Sequence, residues 1–269
     1  MRGNSLNVYR ANFIVITFML AFLCVLPIMA QPTSLRSFPL TARMKMTWDR
    51  LKELEQINSQ IENNKSNVSL YKKRLQIYGE LLELTSDNNR NTYADKYEAD
   101  LSYITELEKT SEAYFKRGNW FLSRFIYNAS DSAYSLPSKI SELYPHNSYF
   151  DKATADFLKA IQLTSDPHNL QAIYTNLSII YRARPQLLVS APDFPKWKDE
   201  IPLKLVRQDL EMSIKYQELA IKAGANLPYI KELKHSLVAT YLSNAEVAEK
   251  LGDSATALKY TQAAQKYRE

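Results

Sequence analysis

Cysteine is almost missing from this chain: the single thiol, Cys24, lies near the amino terminus. The rest of the protein therefore has no disulfide, no thiolate metal site and no cysteine nucleophile, and its stability must come from packing. Glycine is scarce too, with five in 269 residues. Antiparallel sheets need glycine at many tight turns, so the shortage argues against a β-protein and for helices. It also leaves no glycine-rich phosphate loop and no GxSxG nucleophile elbow. Histidine occurs three times, as His146, His168 and His235. None pairs with a second histidine at metal-ligand spacing, and HExxH is absent. No block of one charge stands out. The formal charge is +5, and the densest basic cluster, Lys72, Lys73 and Arg74, reads as a solvated helix face rather than a nucleic-acid groove. The carboxylate pairs Asp49/Glu53 and Glu80/Glu83 read as surface charge. No catalytic, cofactor-binding or metal-binding residue is expected, and no nucleic-acid partner.

What is present begins with an apolar run over residues 13–26, preceded by Arg2 and Arg10 and followed by Pro27 and Ala30. Such a pattern predicts a secretory signal peptide over 1–30, cut near Ala30–Gln31. The alternative is an uncleaved anchor, the only route by which a membrane is expected to enter. Export to a periplasmic or extracellular space follows from either reading.

Residues 31–46, with Pro32 and Pro39, read as a linker. From Thr47 the apolar residues Trp48, Leu51, Leu54, Ile57 and Ile61 recur at helical spacing. Val68, Tyr71, Leu75, Tyr78 and Leu82 make a second stripe, so 47–92 is expected to be a helical pair. A third helix should run from Tyr97 through Ser111 to Gly118, and a fourth from Asn119 to Tyr134. Breaks are expected at 136–137, 144–147, 165–169 and 224–228. Pro185, Pro192, Pro195 and Pro202 mark residues 182–204 as an irregular insertion that no helix should cross.

Small residues recur among the large ones. The stretch "KLGDSATALKYTQAAQKY" spaces Gly252, Ala257 and Ala264 between Leu251, Leu258 and Tyr260. Ala257 and Ala264, seven apart, share one helix face, which suits close contact with a neighbouring helix. Tyr174, Leu177, Ser178 and Tyr181, then Ala153, Phe157 and Ala160, repeat the theme. The arrangement resembles the tetratricopeptide repeat, with Ser178 where that family prefers glycine. The resemblance covers 93–269. Its equivalent positions Tyr114, Tyr144, Tyr181 and Ala248 are unevenly spaced, and an irregular helical bundle is the rival reading.

The resemblance implies an all-α fold, antiparallel helix pairs stacked as a right-handed solenoid. It also implies a non-enzymatic scaffold that binds a protein or peptide, or helps assembly, in the cell envelope. Tyr174, Tyr181 and Trp197 are the candidate partner-binding residues. Trp197, inside the insertion, either pins that loop or projects as an anchor. The alternative function is an accessory module that binds a peptide or glycan under the 182–204 insertion as a lid. An enzyme of unknown type is a third possibility that no spacing supports.

Overall fold

In the computed structural model the described residues are 35, 38–85, 89–130, 143–144, 147–191, 202–225, 227–228 and 230–267, the side chains of 127–130 excepted. Among them the chain is all-α, with nine α-helices and no strand. Helices adjacent in sequence pack against one another in a solenoid-like arrangement within each of two units, Pro27–Arg117 and Gly118–Glu269.

The first unit holds α1 (Leu40–Asn63), α2 (Val68–Leu84), α3 (Asn89–Glu108) and the start of α4 (Ser111–Ser130). Leu54, Ile57 and Ile61 of α1 meet Ile77, Tyr78 and Leu81 of α2 in one apolar core. Asn67 caps α2 by accepting from the Ser69 amide, which is why a chain of turn formers stops there and a helix starts. A buried ion pair crosses this unit. Arg74 donates from Nε to Asp100 Oδ2 at 2.8 Å and from Nη2 to Oδ1 at 2.6 Å, and its Nη1 reaches Asn58 at 2.9 Å. One guanidinium thus ties α1, α2 and α3 together. Lys72 and Lys73 are exposed as expected, but Arg74 turns inward and does not belong to a solvated face.

The second unit contains the rest of α4, then α5 (Ser148–Gln162), α6 (Pro167–Ser190), α7 (Leu203–Ala223), α8 (Ile230–Lys250) and α9 (Ser254–Lys266). Helix α6 packs on α5, α7 and α8. It is accordingly buried on most sides, from Ile173 and Leu177 to Ala183 and Leu188. Asn147 caps α5 through the Tyr149 and Phe150 amides, and Asp166 caps α6 through the Asn169 amide, with Pro167 in the first turn.

The small residues lie at helix contacts. Ala153, Ala160, Ser178, Ser213, Ala220, Ala248, Ala257 and Ala264 are all buried. Gly252 forms the turn between α8 and α9 at φ 78°. There the Asp253 amide bonds the Ala248 carbonyl at 2.8 Å and the Gly252 amide bonds that of Glu249 at 2.9 Å. That is a Schellman stop, whose left-handed residue favours glycine. Asp253 then caps α9 by accepting from the Thr256 amide.

Several boundaries differ from those the sequence suggests. Helix α1 starts at Leu40, inside the expected linker, and Thr47 is no cap: its hydroxyl donates to the Arg43 carbonyl four residues back. The third helix ends at Glu108, because Lys109 adopts φ 51° and Thr110 accepts from the Ala113 amide to start α4. Gly118 is therefore inside a helix, not at its end. Helix α6 runs through Pro185 to Ser190 and α7 starts at Leu203, so 182–190 and 203–204 are helical where an irregular insertion was expected, and residues 192–201 lie outside the described residues. A proline removes one backbone bond and crowds the carbonyl four residues back. Burial of Ala183, Arg184, Pro185 and Leu188 holds that last part of the helix in place. The break expected at 136–137 lies outside the described residues.

Candidate functional site

Of the three expected contact residues, the structure brings two together. Tyr174 and Tyr181, two turns apart on α6, are both half-buried. Tyr216 of α7 lies between them. Its ring stacks on Tyr181 at 5.6 Å between centroids and 23° between planes, and on Tyr174 at 6.2 Å and 21°. The three rings make one row. Neither Tyr174 nor Tyr181 has a hydroxyl hydrogen-bonded among the described residues, so both polar tips remain available. Trp197 lies outside the described residues.

The row has a firm base. Phe150 of α5 meets Tyr181 edge-on at 5.3 Å and 89°, and Phe125 of α4 meets Phe150 at 5.8 Å and 70°. Beneath the rings sits a second buried ion pair. Arg184 donates from Nε and Nη2 to the two oxygens of Asp209, at 2.8 and 2.6 Å. The Tyr144 hydroxyl donates to the same carboxylate at 2.6 Å. The guanidinium carbon stands 3.7 Å from the Phe150 ring centre and 4.4 Å from that of Tyr144. A charge so deeply buried is tolerable only when its donors and acceptors are met, and here a bidentate pair, a phenol and two ring faces meet them.

The electrostatics follow from this burial. Burial, then the neighbouring Tyr216 and Asp209, pushes the Tyr181 phenol up to about 12. Burial raises Tyr144 well above the ordinary phenol range, with Asp209 adding to it. Burial is the largest influence on Arg184 and would lower it; the bonds and charge of Asp209 outweigh it and leave the guanidinium raised. Tyr181 is therefore uncharged at neutral pH, and the row is an amphipathic strip of rings with hydroxyl tips. Such a strip can bind by stacking and hydrogen bonding.

Next to this row, α6 meets α8 through polar groups. Arg182 donates to Thr240 at 3.0 Å, Gln186 donates to Ser243, and burial lowers the Arg182 guanidinium to about 10. Asn244, fully buried, donates to the Leu210 carbonyl and to Ser213, each at 2.9 Å. These bonds fix the angle at which α7 and α8 join α6. Sequence reasoning singled out neither Arg184 and Asp209 nor this polar contact. Arg184 lies in the polar run Arg182–Gln186 and gives no sign of burial in sequence.

The first unit has a separate cleft of about 330 Å³, lined among others by Leu75, Gly79, Tyr97 and Leu101. Its charges are matched locally: Lys72 pairs with Glu108 and Lys116 with Glu112, whose carboxyl is held below its usual range by Lys116. His168 and His235 are both exposed, and His146 lies outside the described residues. Among the described residues no three His, Cys, Asp or Glu side chains gather as a metal-binding group, and no helix is long and apolar enough to cross a membrane. No protein-family model matches the chain, and no curated protein is significantly similar to it.

Proposed function

We propose that this chain is an exported, non-enzymatic scaffold of tetratricopeptide-like helix pairs that binds a protein or peptide partner in the cell envelope. The observation that supports it is the row Tyr174–Tyr216–Tyr181. Recognition surfaces place aromatic rings with polar tips on rigid supports, because a ring that is already fixed loses little entropy on binding. Two of these rings are partly exposed, and the Arg184–Asp209 pair and Phe150 hold them from below. Buried small residues at the helix contacts support the stacked-pair reading.

The test is photocrosslinking in the native host from a photoreactive phenylalanine at position 174, compared with one at exposed Lys215 on α7. A discrete protein partner captured from 174 alone is the expected result. Capture from 174 should fall at least about tenfold when Tyr181→Ala is added to the same chain and its helical circular dichroism is kept. Unchanged capture by that variant, or no product specific to 174, overturns the proposal. Amino-terminal sequencing of the native protein tests export: a start near Gln31 fits a cleaved leader, and retention of Met1 together with the soluble fraction rules export out.

A further inference from the structure

The first three turns of α1 carry a largely exposed apolar face. Leu40, Met44 and Trp48 are 67, 64 and 71 % exposed, and Leu51 is exposed as well. Their steps of four, four and three put them on one side of the helix. This side adjoins, and is distinct from, the face that Leu54, Ile57 and Ile61 bury against α2. Exposed leucines occur singly on many proteins, but an ordered strip with a tryptophan at its centre marks a contact surface.

The charges around the strip identify what it contacts. Lys45 and Lys52, seven residues apart and both exposed, follow one flank. Arg43 and Arg50, also seven apart, follow the other. Arg50 is paired with Glu53 and Glu80, whereas Arg43, half-buried, gives one donor to the Leu84 carbonyl. Asp49 stands one turn from both Lys45 and Lys52, on the side of them remote from the strip, and Glu55, one turn beyond Leu51, ends the strip at a furrow that it lines with Asn58, Ser59 and Glu62. An apolar stripe bearing tryptophan, with cations along both edges, is the pattern of a helix lying in the surface of an anionic bilayer. There the rings and aliphatic chains enter the headgroup boundary, while lysine stems reach up to the phosphates. A second copy of this chain fits worse, because pairing the strip with itself brings the same cations together.

We infer that α1, through Leu40, Met44, Trp48 and Leu51, docks in the plane of an anionic lipid surface. The inference is independent of the partner-binding role proposed for the tyrosine row.

The test uses the full chain with Cys24→Ser and a single new cysteine, Met44→Cys, carrying an environment-sensitive fluorophore. A matched chain carries the label at Gln56, exposed and away from the strip. Each is added to vesicles of phosphatidylglycerol with phosphatidylcholine, to vesicles of phosphatidylcholine alone, and to detergent-free buffer. The expected result is a blue-shifted label at 44, quenched by spin-labelled lipid, only with phosphatidylglycerol and less so in high salt. The label at 56 stays solvent-exposed throughout. Adding Lys45→Glu/Lys52→Glu should lower the ratio of inserted to solvent-facing label at 44 by about tenfold or more. Equal responses at 44 and 56, equal insertion in both kinds of vesicle, or no effect of the charge reversal overturns the inference. So does a label at 44 already shielded in buffer, which would show that protein covers the strip.

Discussion

Replacing Gly118 by alanine puts two opposing effects at one atom. Inside a helix, alanine is favoured over glycine by about 1 kcal/mol, so a Gly118 with free space beside it would be a simple target for stabilisation. Here a Cβ would stand 2.7 Å from Phe157 Cε1 and 2.8 Å from Cδ1. These are ring atoms of a side chain with no exposed surface, not the end of a flexible chain. The ring cannot swing aside without displacing neighbours packed at interior density. Overpacking of this kind costs about 1–3 kcal/mol. The net expectation for Gly118→Ala is a loss of about 1 kcal/mol, read as a lower urea midpoint by circular dichroism at unchanged slope.

A second substitution makes the reasoning decisive. Phe157→Leu removes much of the ring and costs about 1–2 kcal/mol alone. In that background the added methyl has room, and Gly118→Ala should become stabilising by roughly 0.5–1 kcal/mol. The sign reversal, a coupling of about 2 kcal/mol in the double-mutant cycle, is the measured quantity. If Gly118→Ala is neutral or stabilising in the unaltered protein, α4 and α5 do not approach as closely as 2.7 Å implies, and the role assigned to Gly118 fails.

Asp209→Asn leaves the buried Arg184 cation without its counter-charge and should cost about 3–5 kcal/mol, whereas Arg184→Met/Asp209→Leu should recover much of that loss; equal melting temperatures for the single and double variants would contradict it. Gly252→Ala meets nothing within 4 Å, so only its φ of 78° matters; a loss of about 1–2 kcal/mol is expected, and a smaller one for Gly252→Asn. Burial raises Tyr181 and Tyr260 to about 12, and Tyr144, Tyr216 and Tyr241 upward as well. A phenol whose folded value exceeds its unfolded value of 10.0 stabilises fully below 10.0 and loses that contribution as pH climbs through 12. The thermal midpoint should therefore drop across that window as phenolate absorbance appears; a flat midpoint refutes the burial of these rings.

The helices of the second unit were legible from local signals that differ among them: Asn147 and Asp166 cap α5 and α6, apolar faces mark their interiors, and Gly252 stops α8. The small residues at 153, 160, 257 and 264 could be assigned to helix contacts from spacing alone, since only close approach explains alanine among leucine and tyrosine. The failures each have a physical cause. Lys109 at φ 51° gives no compositional warning, because a lysine in the left-handed region is as unusual as it is invisible in sequence. Gly118 looked like a terminus because glycine has two uses in helices, stopping them and letting a neighbour come near, and only the position of Phe157 separates the two. Pro185 looked like a breaker because its cost is local and fixed, while the burial that offsets it is tertiary. Arg74 looked solvated because its partner Asp100 is distant in sequence.

Tyr174 and Tyr181 were recognisable as a pair, two turns apart on one face, but their neighbour Tyr216 was not, since nothing in sequence aligns α6 with α7. This difference explains why the two tyrosines could be read as one face while their support could not. A helix's own periodicity fixes which of its residues share a face. It does not say which residue of the next helix inserts between them; that depends on crossing geometry, set here by Asn244 on the Leu210 carbonyl and by small Ser213 and Ala220. The same logic applies at α1 with the opposite outcome. Its first turns have an exposed apolar stripe and, among the described residues, no neighbouring helix that covers it, so the pattern that elsewhere announces a core announces a surface. Periodicity identifies a face that must be covered, and the residues bordering it identify the cover: leucine and alanine from another helix in the second unit, and at α1 the cations that call for a negatively charged one.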